Sequence, residues 1–398
     1  MTSTDASTTT APWLLDSPGG ILRLFRQHPG GLTKLEVAQL ARMSRTAAAQ
    51  RVDLLREKGY LEVLTTTVIG RGRPAERLSV ARDRGVLLVA DIGATGMRAA
   101  LCDSTGEVVS EQYATLDITD GPTAVLGSVD AVFATLLRRG SRTTADVIGI
   151  GVDVPGPVDH ATGRVISPPI MTGWHEHDIP GHFATRYRCP VIVEKDTNAM
   201  VVGERQRVHG EVDDMVFVKI GTGIGTGLFV RGELYRGANG AAGDIGHIAL
   251  RSEADQPLCR CGNVGCVEAY AGGWAIARDL TAAGYPTSSV SEIVTAVRAG
   301  NRVALTLVRE AGRVIGEAVS DIVNMINPST IVFGGQLAEL DDIILAAARE
   351  VIYRRSAPLA TRNLHIEPSG IEDPGVRGLA HLIAERVYAP EVVDAELG

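Results

Sequence analysis

The sequence predicts an α/β protein in which an N-terminal winged helix-turn-helix precedes a two-lobed, phosphate-binding body. Three observations lead to this prediction. The segment through Arg82 has short amphipathic helices and 12 basic against 7 acidic residues, a net charge of +5. The rest has 27 basic and 40 acidic residues, a net charge of −13, and two strands that each run into a glycine-rich loop. Three of the five cysteines lie within eight residues.

The bulk properties restrict the class of protein. A chain of 398 residues predicts two or three domains, and 45% hydrophobic with 22% charged residues is typical of globular proteins. No apolar run is long enough to cross a membrane. Residues 1–13 resemble a disordered tail rather than an export signal, so a cytoplasmic location is expected. The basic segment on an acidic body indicates that only the first part contacts a polyanion.

The DNA-binding domain is predicted over residues 14–82. Apolar spacing predicts a helix over Ile21–Gln27, and Thr33 with Glu36 forms the capping box of a second helix. Ser44 then caps a third helix that runs to about Lys58. Two short helices joined by a tight turn are typical of a helix-turn-helix. The residues predicted to contact DNA from the third helix are Ser44, Arg45, Thr46, Gln50 and Arg51.

A wing is predicted after the third helix. Tyr60–Leu64 and Thr65–Ile69 alternate like the strands of a hairpin, and Arg71, Gly72 and Arg73 follow. Arginines separated by glycine have a slim backbone that can enter a narrow minor groove. The alternatives are a winged helix that binds protein and a flexible basic linker. The combination with the helix-turn-helix favours double-stranded DNA.

Two strand-and-loop units predict a phosphate site in the body. Val86–Ala90 leads into Asp91, Gly93 and Thr95, a pattern that can hold Mg²⁺-phosphate against backbone amides. Val216–Ile220 leads into a second loop, which is neither a Walker loop nor a dinucleotide fingerprint because another strand follows it. Two such units indicate a duplicated fold around one phosphate chain, although each alone resembles an ordinary hairpin turn. The second loop contributes Gly221, Thr222, Gly223 and Gly225.

Two further features fit a nucleotide-dependent reaction on a sugar. The strand from Val191 delivers Asp196 to the start of a helix, where a carboxylate could take a proton from a sugar hydroxyl. An ordinary N-terminal helix cap is the alternative. The turn at Gly334 and Gly335 could accept an adenine ring or merely turn a strand.

A cysteine cluster predicts a structural zinc site. Cys259, Cys261 and Cys266, with His247 upstream, make a full tetrahedral ligand set for Zn²⁺. A disulfide and buried small hydrophobes are the alternatives, and Cys259 and Cys261 are too close for an easy disulfide with each other. Four protein ligands leave no open position, so this zinc would order a loop rather than activate water.

These motifs resemble those of the ROK family of repressors and sugar kinases, over roughly Leu14 to Tyr388. The resemblance implies an actin/hexokinase-like fold, with a first lobe over 86–203 plus 376–398 and a second over 204–375 that holds the zinc. It implies that Asp196 is the catalytic base and that His247 and Glu268 contact sugar. It also implies that Asp91, Gly93, Thr95 and the loop from Gly221 form the ATP phosphate site.

Three departures from the family pattern concern the sugar. Lys195 replaces the Asn that usually precedes the base, Asp244 replaces a Glu, and Ile170–Trp174 lacks the usual Asn. Each lost polar contact is worth about 1 kcal/mol or more in a dry pocket, which argues against an unmodified glucose-like substrate. Lys195 is also a cation beside the proposed base, and it makes Asp196 a poorer proton acceptor. Lys195, Asp196 and Asp244 complete the predicted effector pocket.

The leading prediction is a sugar-responsive transcription regulator, a repressor. It would bind a palindromic operator as a homodimer, with a tetramer as the alternative assembly, and a carbohydrate effector in the cleft between the lobes. The second hypothesis is an ATP-dependent sugar kinase that retains a DNA-binding domain and uses ATP and Mg²⁺. A third is that Lys195 marks an anionic effector such as a sugar phosphate or sugar acid.

Overall fold

The computed structural model describes residues 16–67, 75–250 and 256–398. The predicted tail over residues 1–13 therefore lies outside the described residues. The described chain forms an N-terminal head and a body with two five-stranded sheets. None of the helices in these three ranges is both long enough and apolar enough to cross a membrane.

Three helices build the head, and the predicted caps begin the second and third of them. Both reciprocal bonds of the capping box at Thr33 and Glu36 are present. The Ser44 hydroxyl accepts a hydrogen bond from the amide of Ala47 at 3.2 Å, which satisfies one free donor of the third helix. The head helices are α1 (Pro18–Gln27), α2 (Lys34–Leu40) and α3 (Arg45–Glu57).

The wing differs from its prediction. Strand β1 (Leu61–Thr67) pairs antiparallel with strand β2 (Ala75–Val80), so the hairpin between 60–64 and 65–69 is wrong. Three consecutive threonines continue β1 because β-branched residues favour strands, and no turn residue separates positions 64 and 65. Arg71, Gly72 and Arg73 fall between the two strands in sequence and lie outside the described residues.

The two sheets of the body share one strand order, which confirms the two-lobed, duplicated fold. In each sheet, the first three strands in the chain form an antiparallel meander. A fourth strand pairs parallel with the first strand of that meander, and a fifth strand pairs parallel with the fourth. The first sheet has the order β5-β4-β3-β6-β9 and the second has the order β12-β11-β10-β13-β14.

The first lobe contains strands β3 (Val86–Ile92), β4 (Gly96–Asp103), β5 (Val108–Thr115), β6 (Val147–Val154), β7 (Val158–Asp159), β8 (Arg164–Val165) and β9 (Val191–Lys195), with helices α4 (Pro122–Arg139), α5 (Ile179–Tyr187) and α6 (Asp196–Arg207). The second contains strands β10 (Met215–Ile220), β11 (Ile224–Val230), β12 (Glu233–Leu234), β13 (Thr330–Gly334) and β14 (His365–Pro368), with helices α7 (Val267–Ala271), α8 (Gly273–Ala282), α9 (Val290–Arg298), α10 (Arg302–Ile326), α11 (Asp341–Arg355) and α12 (Pro358–Thr361).

Helices α6 and α13 (Pro374–Val387) cross closely between the sheets. α13 packs on β3 and β6 of the first sheet, as the family resemblance implies, while α6 contacts β10 and β11 of the second. The crossing depends on glycine, because a Cβ at Gly378 would lie 1.8 Å from the Ala199 carbonyl oxygen, and one at Gly203 would lie 2.0 Å from the Pro374 carbonyl oxygen.

The C-terminal helix α14 (Pro390–Leu397) packs on α1 of the head rather than on a sheet. Tyr388 and Val393 are buried in the head's apolar core. The amide of Gly19 donates a 2.7 Å hydrogen bond to Asp394. The last residues of the chain, which the sequence assigned to the first lobe, therefore complete the core of the N-terminal head.

Candidate functional site

A cleft between the lobes, with a volume of about 340 Å³, collects most of the predicted effector and phosphate residues. Strands of both sheets contribute residues near their ends to this cleft, namely Asp91 of β3, Lys195 of β9 and Lys219 of β10. The predicted residues that line it are Asp91, Gly93, Thr95, Lys195, Asp196, Gly221, Thr222, Gly223, Gly225, Asp244, His247 and Glu268.

Gly334 and Gly335, predicted for the adenine, are not among the residues that line the cleft, although Gln336 is. A Cβ at Gly334 would lie 2.3 Å from the Phe217 ring, and one at Gly335 would lie 2.6 Å from the Ile220 carbonyl oxygen. Gly335 also has φ +89°, which favours glycine. Packing of β13 against β10 therefore accounts for both glycines in this structure.

One group of residues, which we name the carboxylate end, consists of Asp91, Asp196 and Lys219, which line the cleft, and of Asp153, which is buried beside Asp91. The ammonium of Lys219, on β10, forms a 2.5 Å ion pair with Oδ2 of Asp196. Oδ1 of Asp196 accepts a 2.6 Å hydrogen bond from the amide of Thr197. Because Asp196 is buried, this pair neutralises a carboxylate that has little contact with water.

Asp91 and Asp153 lie side by side at the carboxylate end, as register partners on the parallel strands β3 and β6. Asp153 is fully buried, and its Oδ1 accepts a 3.1 Å hydrogen bond from the amide of Ile92. Burial, with the nearby charges of Asp91 and Asp196, raises the pKa of Asp153 well above its ordinary value. Burial also raises the pKa of Asp91, and Lys219 partly opposes that shift.

Sequence reasoning missed Lys219. Burial lowers the pKa of its ammonium, but the charges of Asp196 and Asp91 outweigh burial and the net shift is upward. The sequence did contain a signal for it. β10 is otherwise apolar and leads into a glycine loop, and a lysine is unusual in such a buried strand. The partner could not be read from the sequence because Asp196 belongs to the other lobe.

A second group of residues that line the cleft, which we name the effector end, consists of Lys195, Asp244, His247 and Glu268. Both oxygens of Glu268 are engaged, one by the amide of Ile224 at 3.0 Å and the other by the indole of Trp274 at 3.1 Å. Gly223 makes room for this carboxylate, because a Cβ there would lie 2.4 Å from Oε2 of Glu268. Glu268 thus fixes the glycine loop while it lines the cleft.

The cysteine cluster adjoins the effector end. The ligand atoms of His247, Cys259, Cys261 and Cys266 all lie within 4.8 Å of one another. Nδ1 of His247 is 3.7 Å from Sγ of Cys259, and Sγ of Cys261 is 3.7 Å from Sγ of Cys266. Zn–S bonds of about 2.3 Å give a tetrahedron with edges of about 3.8 Å, so the donor set fits this ion.

Local backbone geometry brings the thiols together. The amide of Cys259 donates to the Asn263 carbonyl at 2.7 Å, and the amide of Gly262 donates back to the Cys259 carbonyl at 3.0 Å. Gly262 and Gly265 adopt φ of +90° and +74°, which favour glycine. All three thiols are free, so the described cluster could hold a metal ion and forms no disulfide.

The head presents part of the predicted DNA surface. Arg45, Thr46 and Gln50 are exposed on α3, and Ser44 is exposed at its start. Arg51 differs, because its guanidinium turns back to donate to the carbonyl oxygens of Asp16 and Ala47.

Comparison with known proteins agrees with the fold. The chain is 26% identical to a xylose repressor of Caldicellulosiruptor bescii, over 90% of this chain and 94% of that protein. A crystal structure of a ROK family transcriptional regulator, a homolog of the E. coli MLC protein, superposes with a TM-score of 0.79 at 23% identity, covering 96% of this chain and 98% of that one.

A glucokinase gives a shorter match. The ROK family glucokinase of Streptomyces griseus, solved with glucose and AMPPNP, has a TM-score of 0.66 at 26% identity, and covers 76% of this chain and all of that one. The sequence model of the ROK family matches residues 88–386, which are the two-lobed body without the head. This match spans most of the chain, and the protein belongs to the ROK family.

Proposed function

We propose that the protein is a DNA-binding transcriptional repressor of carbohydrate metabolism that responds to a sugar-derived effector in the interlobe cleft. The observation that carries the proposal is the presence of a capped helix-turn-helix and a two-lobed body with a polar cleft in one chain. The matches to the regulator and to the xylose repressor include the head as well as the body of this chain. The match to the glucokinase covers only 76% of the chain.

The head would bind the major groove through α3. Arg45, Thr46 and Gln50 are exposed near its start, which is the part of a recognition helix that reaches base edges. Arg71, Gly72 and Arg73, at the tip of the wing in sequence, would enter the adjacent minor groove. Two heads in a homodimer would read the paired half-sites of a palindromic operator.

A continuous set of contacts connects the cleft to the head. α6 begins at Asp196 in the cleft and crosses α13 at the close glycine contacts. α13 leads into α14, whose Asp394 accepts from the head amide of Gly19. Arg26 of α1 also forms a 2.7 Å ion pair with Glu385 of α13. An effector that moves α6 relative to the second lobe would therefore tilt the head through α13 and α14.

We propose zinc as the metal of the cysteine cluster. Three thiolates and one imidazole are a typical structural zinc set, and four protein ligands leave no position for a reactive water. The zinc would hold His247 in the cleft wall and fix Cys266, which immediately precedes helix α7 and Glu268. Its role is to order the effector end rather than to take part in a reaction.

The second candidate function is an ATP-dependent sugar kinase. Asp91, Asp196 and the loop from Gly221 line the cleft, which favours a site for ATP and Mg²⁺ at the carboxylate end. The ion pair with Lys219 opposes this candidate, because the ammonium competes with a sugar hydroxyl for Oδ2 of Asp196. Repression is therefore the function that we favour.

Operator binding is tested by fluorescence anisotropy with genomic fragments at physiological salt. We expect sequence-selective binding that weakens as salt rises. Arg45→Ala should weaken selective binding by about 1–3 kcal/mol if Arg45 contacts a base. Arg302→Ala, which removes an exposed arginine from the body, is the control and should bind as the unmodified protein does. No selective binding would overturn the proposal.

Kinase activity is tested with a coupled ATP-turnover assay over a panel of sugars. We expect no turnover above background. Turnover that disappears in Asp196→Asn would replace the repressor proposal with the second candidate, or add an enzymatic function to it if operator binding is also observed.

The assembly is tested by light scattering after size-exclusion chromatography. A palindromic operator requires two heads, so we expect a dimer or a tetramer made of two dimers. A protein that stays monomeric at the concentrations that saturate the operator would contradict this part of the proposal.

A further inference from the structure

Lys195 is a buried cation at the effector end whose ammonium has no hydrogen-bond partner among the described residues. Its side chain is only 8% exposed and lines the cleft. Within the described part of the chain, Nζ makes no hydrogen bond. The nearest carboxylate oxygen forming an ion pair with it is Oδ1 of Asp244, at 3.8 Å, which is too far for a hydrogen bond.

The local fold explains why this ammonium faces the cleft. Lys195 is the last residue of β9 and the N-cap of α6, so its side chain projects where the sheet ends. Its stem passes the glycine loop, since a Cβ at Gly225 would lie 3.9 Å from Cε of Lys195. The lysine stem thus runs at ordinary contact distance from the glycine loop.

Burial of an unsatisfied ammonium is unfavourable, so the fold alone does not account for this side chain. An ammonium carries three donors, and each loses its water when the group is buried. Structural lysines in such positions are paired, as Lys219 is with Asp196 in the same cleft. Lys195 lacks such a partner, and a ligand in the cleft is in position to supply the missing acceptors.

Among the charged groups of the effector end, only Asp244 forms an ion pair with Lys195 in the described residues, and it does so from beyond hydrogen-bond distance. Glu268 is already engaged by Ile224 and Trp274. Nδ1 of His247 faces the cysteines. Asp244 is 37% exposed and only partly compensates Lys195 from 3.8 Å. A neutral hydroxyl could accept one hydrogen bond from Lys195, whereas an anionic oxygen would also balance its charge.

We propose that the effector is a sugar derivative with an anionic oxygen group, a carboxylate or a phosphate ester, and that Lys195 binds this group. The inference rests on the proposed effector function of the cleft and adds the chemical class of the ligand. The carboxylate of Asp244, beside the ammonium, repels the anionic group of the effector. Lys195 is thus the residue that distinguishes anionic from neutral sugars.

Isothermal titration of the full-length, zinc-loaded protein tests the proposal. The probes are glucose, glucuronate and glucose 6-phosphate, with xylose and xylonate as a second matched set. We expect an anionic probe to bind at least about tenfold more tightly than its neutral counterpart, equivalent to about 1.4 kcal/mol. Comparison of glucuronate with glucose 6-phosphate distinguishes the carboxylate from the phosphate.

Two variants should move this preference in opposite directions. Lys195→Gln should lower the anionic-to-neutral affinity ratio by about tenfold, and Asp244→Asn should raise it, because each changes the charge that faces the group. Lys58→Gln removes the same charge from an exposed position in the head and should leave the ratio unchanged. Melting curves verify that each variant is folded.

The outcomes separate this proposal from the proposed function. Neutral probes that bind as tightly as anionic ones, or a ratio unaffected by Lys195→Gln, would overturn the anionic class while the repressor function stands. Absence of binding by every anionic probe, in a protein that still binds operator DNA, would also overturn it. Selective anion binding without any operator binding would support the ligand class and contradict the repressor function.

Discussion

The two ends of the cleft each contain a lysine, yet the lysines have opposite surroundings. Only four of the 39 basic Lys and Arg residues are lysines, and both of those in the body line the cleft. Lys219 is held by Asp196 at 2.5 Å and attracted by Asp91 and Asp153. Lys195 has one carboxylate at 3.8 Å and no hydrogen bond from the described residues.

The contrast indicates which end is available to a ligand. Buried charges that already neutralise one another are expensive to separate, so the carboxylate end is closed to a new charged partner unless its ion pair breaks. At the effector end, the ammonium donors of Lys195 are free among the described residues. His247, which lines this end, belongs to the cysteine cluster.

The largest expected effect comes from removal of the metal. Structural zinc sites have apparent binding free energies on the order of 10 kcal/mol, so loss of one of four ligands should remove zinc from the purified protein. Cys261→Ser should therefore lose zinc and effector affinity while it keeps operator affinity. Elemental analysis gives the zinc content, and titration gives the affinity.

Cys189→Ser is the matched control, since Cys189 is a free cysteine outside the cluster. It should retain one zinc per chain and normal effector binding. Retention of zinc by Cys261→Ser, or a zinc-free unmodified protein with full effector affinity, would show that the effector end does not depend on the metal.

The same substitution at the two lysines should have opposite effects on stability. Lys219→Met leaves the buried carboxylate of Asp196 unpaired and should lower the free energy of unfolding by about 3–5 kcal/mol. Lys195→Met removes a buried charge with no hydrogen bond and should leave stability unchanged or higher. Urea unfolding, followed by circular dichroism, measures both.

Lys34→Met serves as the control for loss of an exposed ion pair, with Asp53, and should change stability little. Equal losses at Lys219 and Lys195 would mean that the two ends are energetically alike. That result would remove the basis for treating Lys195 as a ligand-binding residue.

The features that the sequence predicted are mainly local ones. The capping box at Thr33, the cap at Ser44 and the cysteine cluster each depend on residues close together in the chain. The two glycine loops were also recognisable because each follows its own strand directly. Local hydrogen bonding and steric preferences determine such features, so a single sequence contains most of the needed information.

The features that it did not predict depend on contacts between distant elements. The Lys219–Asp196 pair joins the two lobes, and α14 completes the core of a head more than 300 residues away in sequence. The strands of the wing were misassigned because the strand pattern continues from Leu64 into the threonines. Only the pairing of β1 with Ala75–Val80 shows that one strand runs through them. Register and docking of this kind are set by the whole fold, not by neighbouring residues.

The prediction with the smallest effect, taken per pH unit, concerns the carboxylate end. Burial raises the pKa of Asp153 in the folded protein, so the folded state keeps a proton that the unfolded state loses above the ordinary aspartate pKa. Stability therefore falls as pH rises from the ordinary value toward the raised one, by at most about 1.4 kcal/mol per pH unit. Asp153→Asn cannot lose this proton and retains an acceptor for the amide of Ile92.

Unfolding curves at several values from about pH 5 to about pH 8 should show Asp153→Asn gaining stability relative to the unmodified protein as pH rises. Asp146→Asn is the control for a carboxylate with the opposite pKa shift. The Thr143 amide and hydroxyl lower the pKa of Asp146, so its contribution to stability is already complete above the ordinary aspartate pKa, and the loss in this variant should be constant over this range. A pH-independent difference for Asp153→Asn would mean that Asp153 is ionised in the folded protein throughout this range, and that burial does not hold a proton on it.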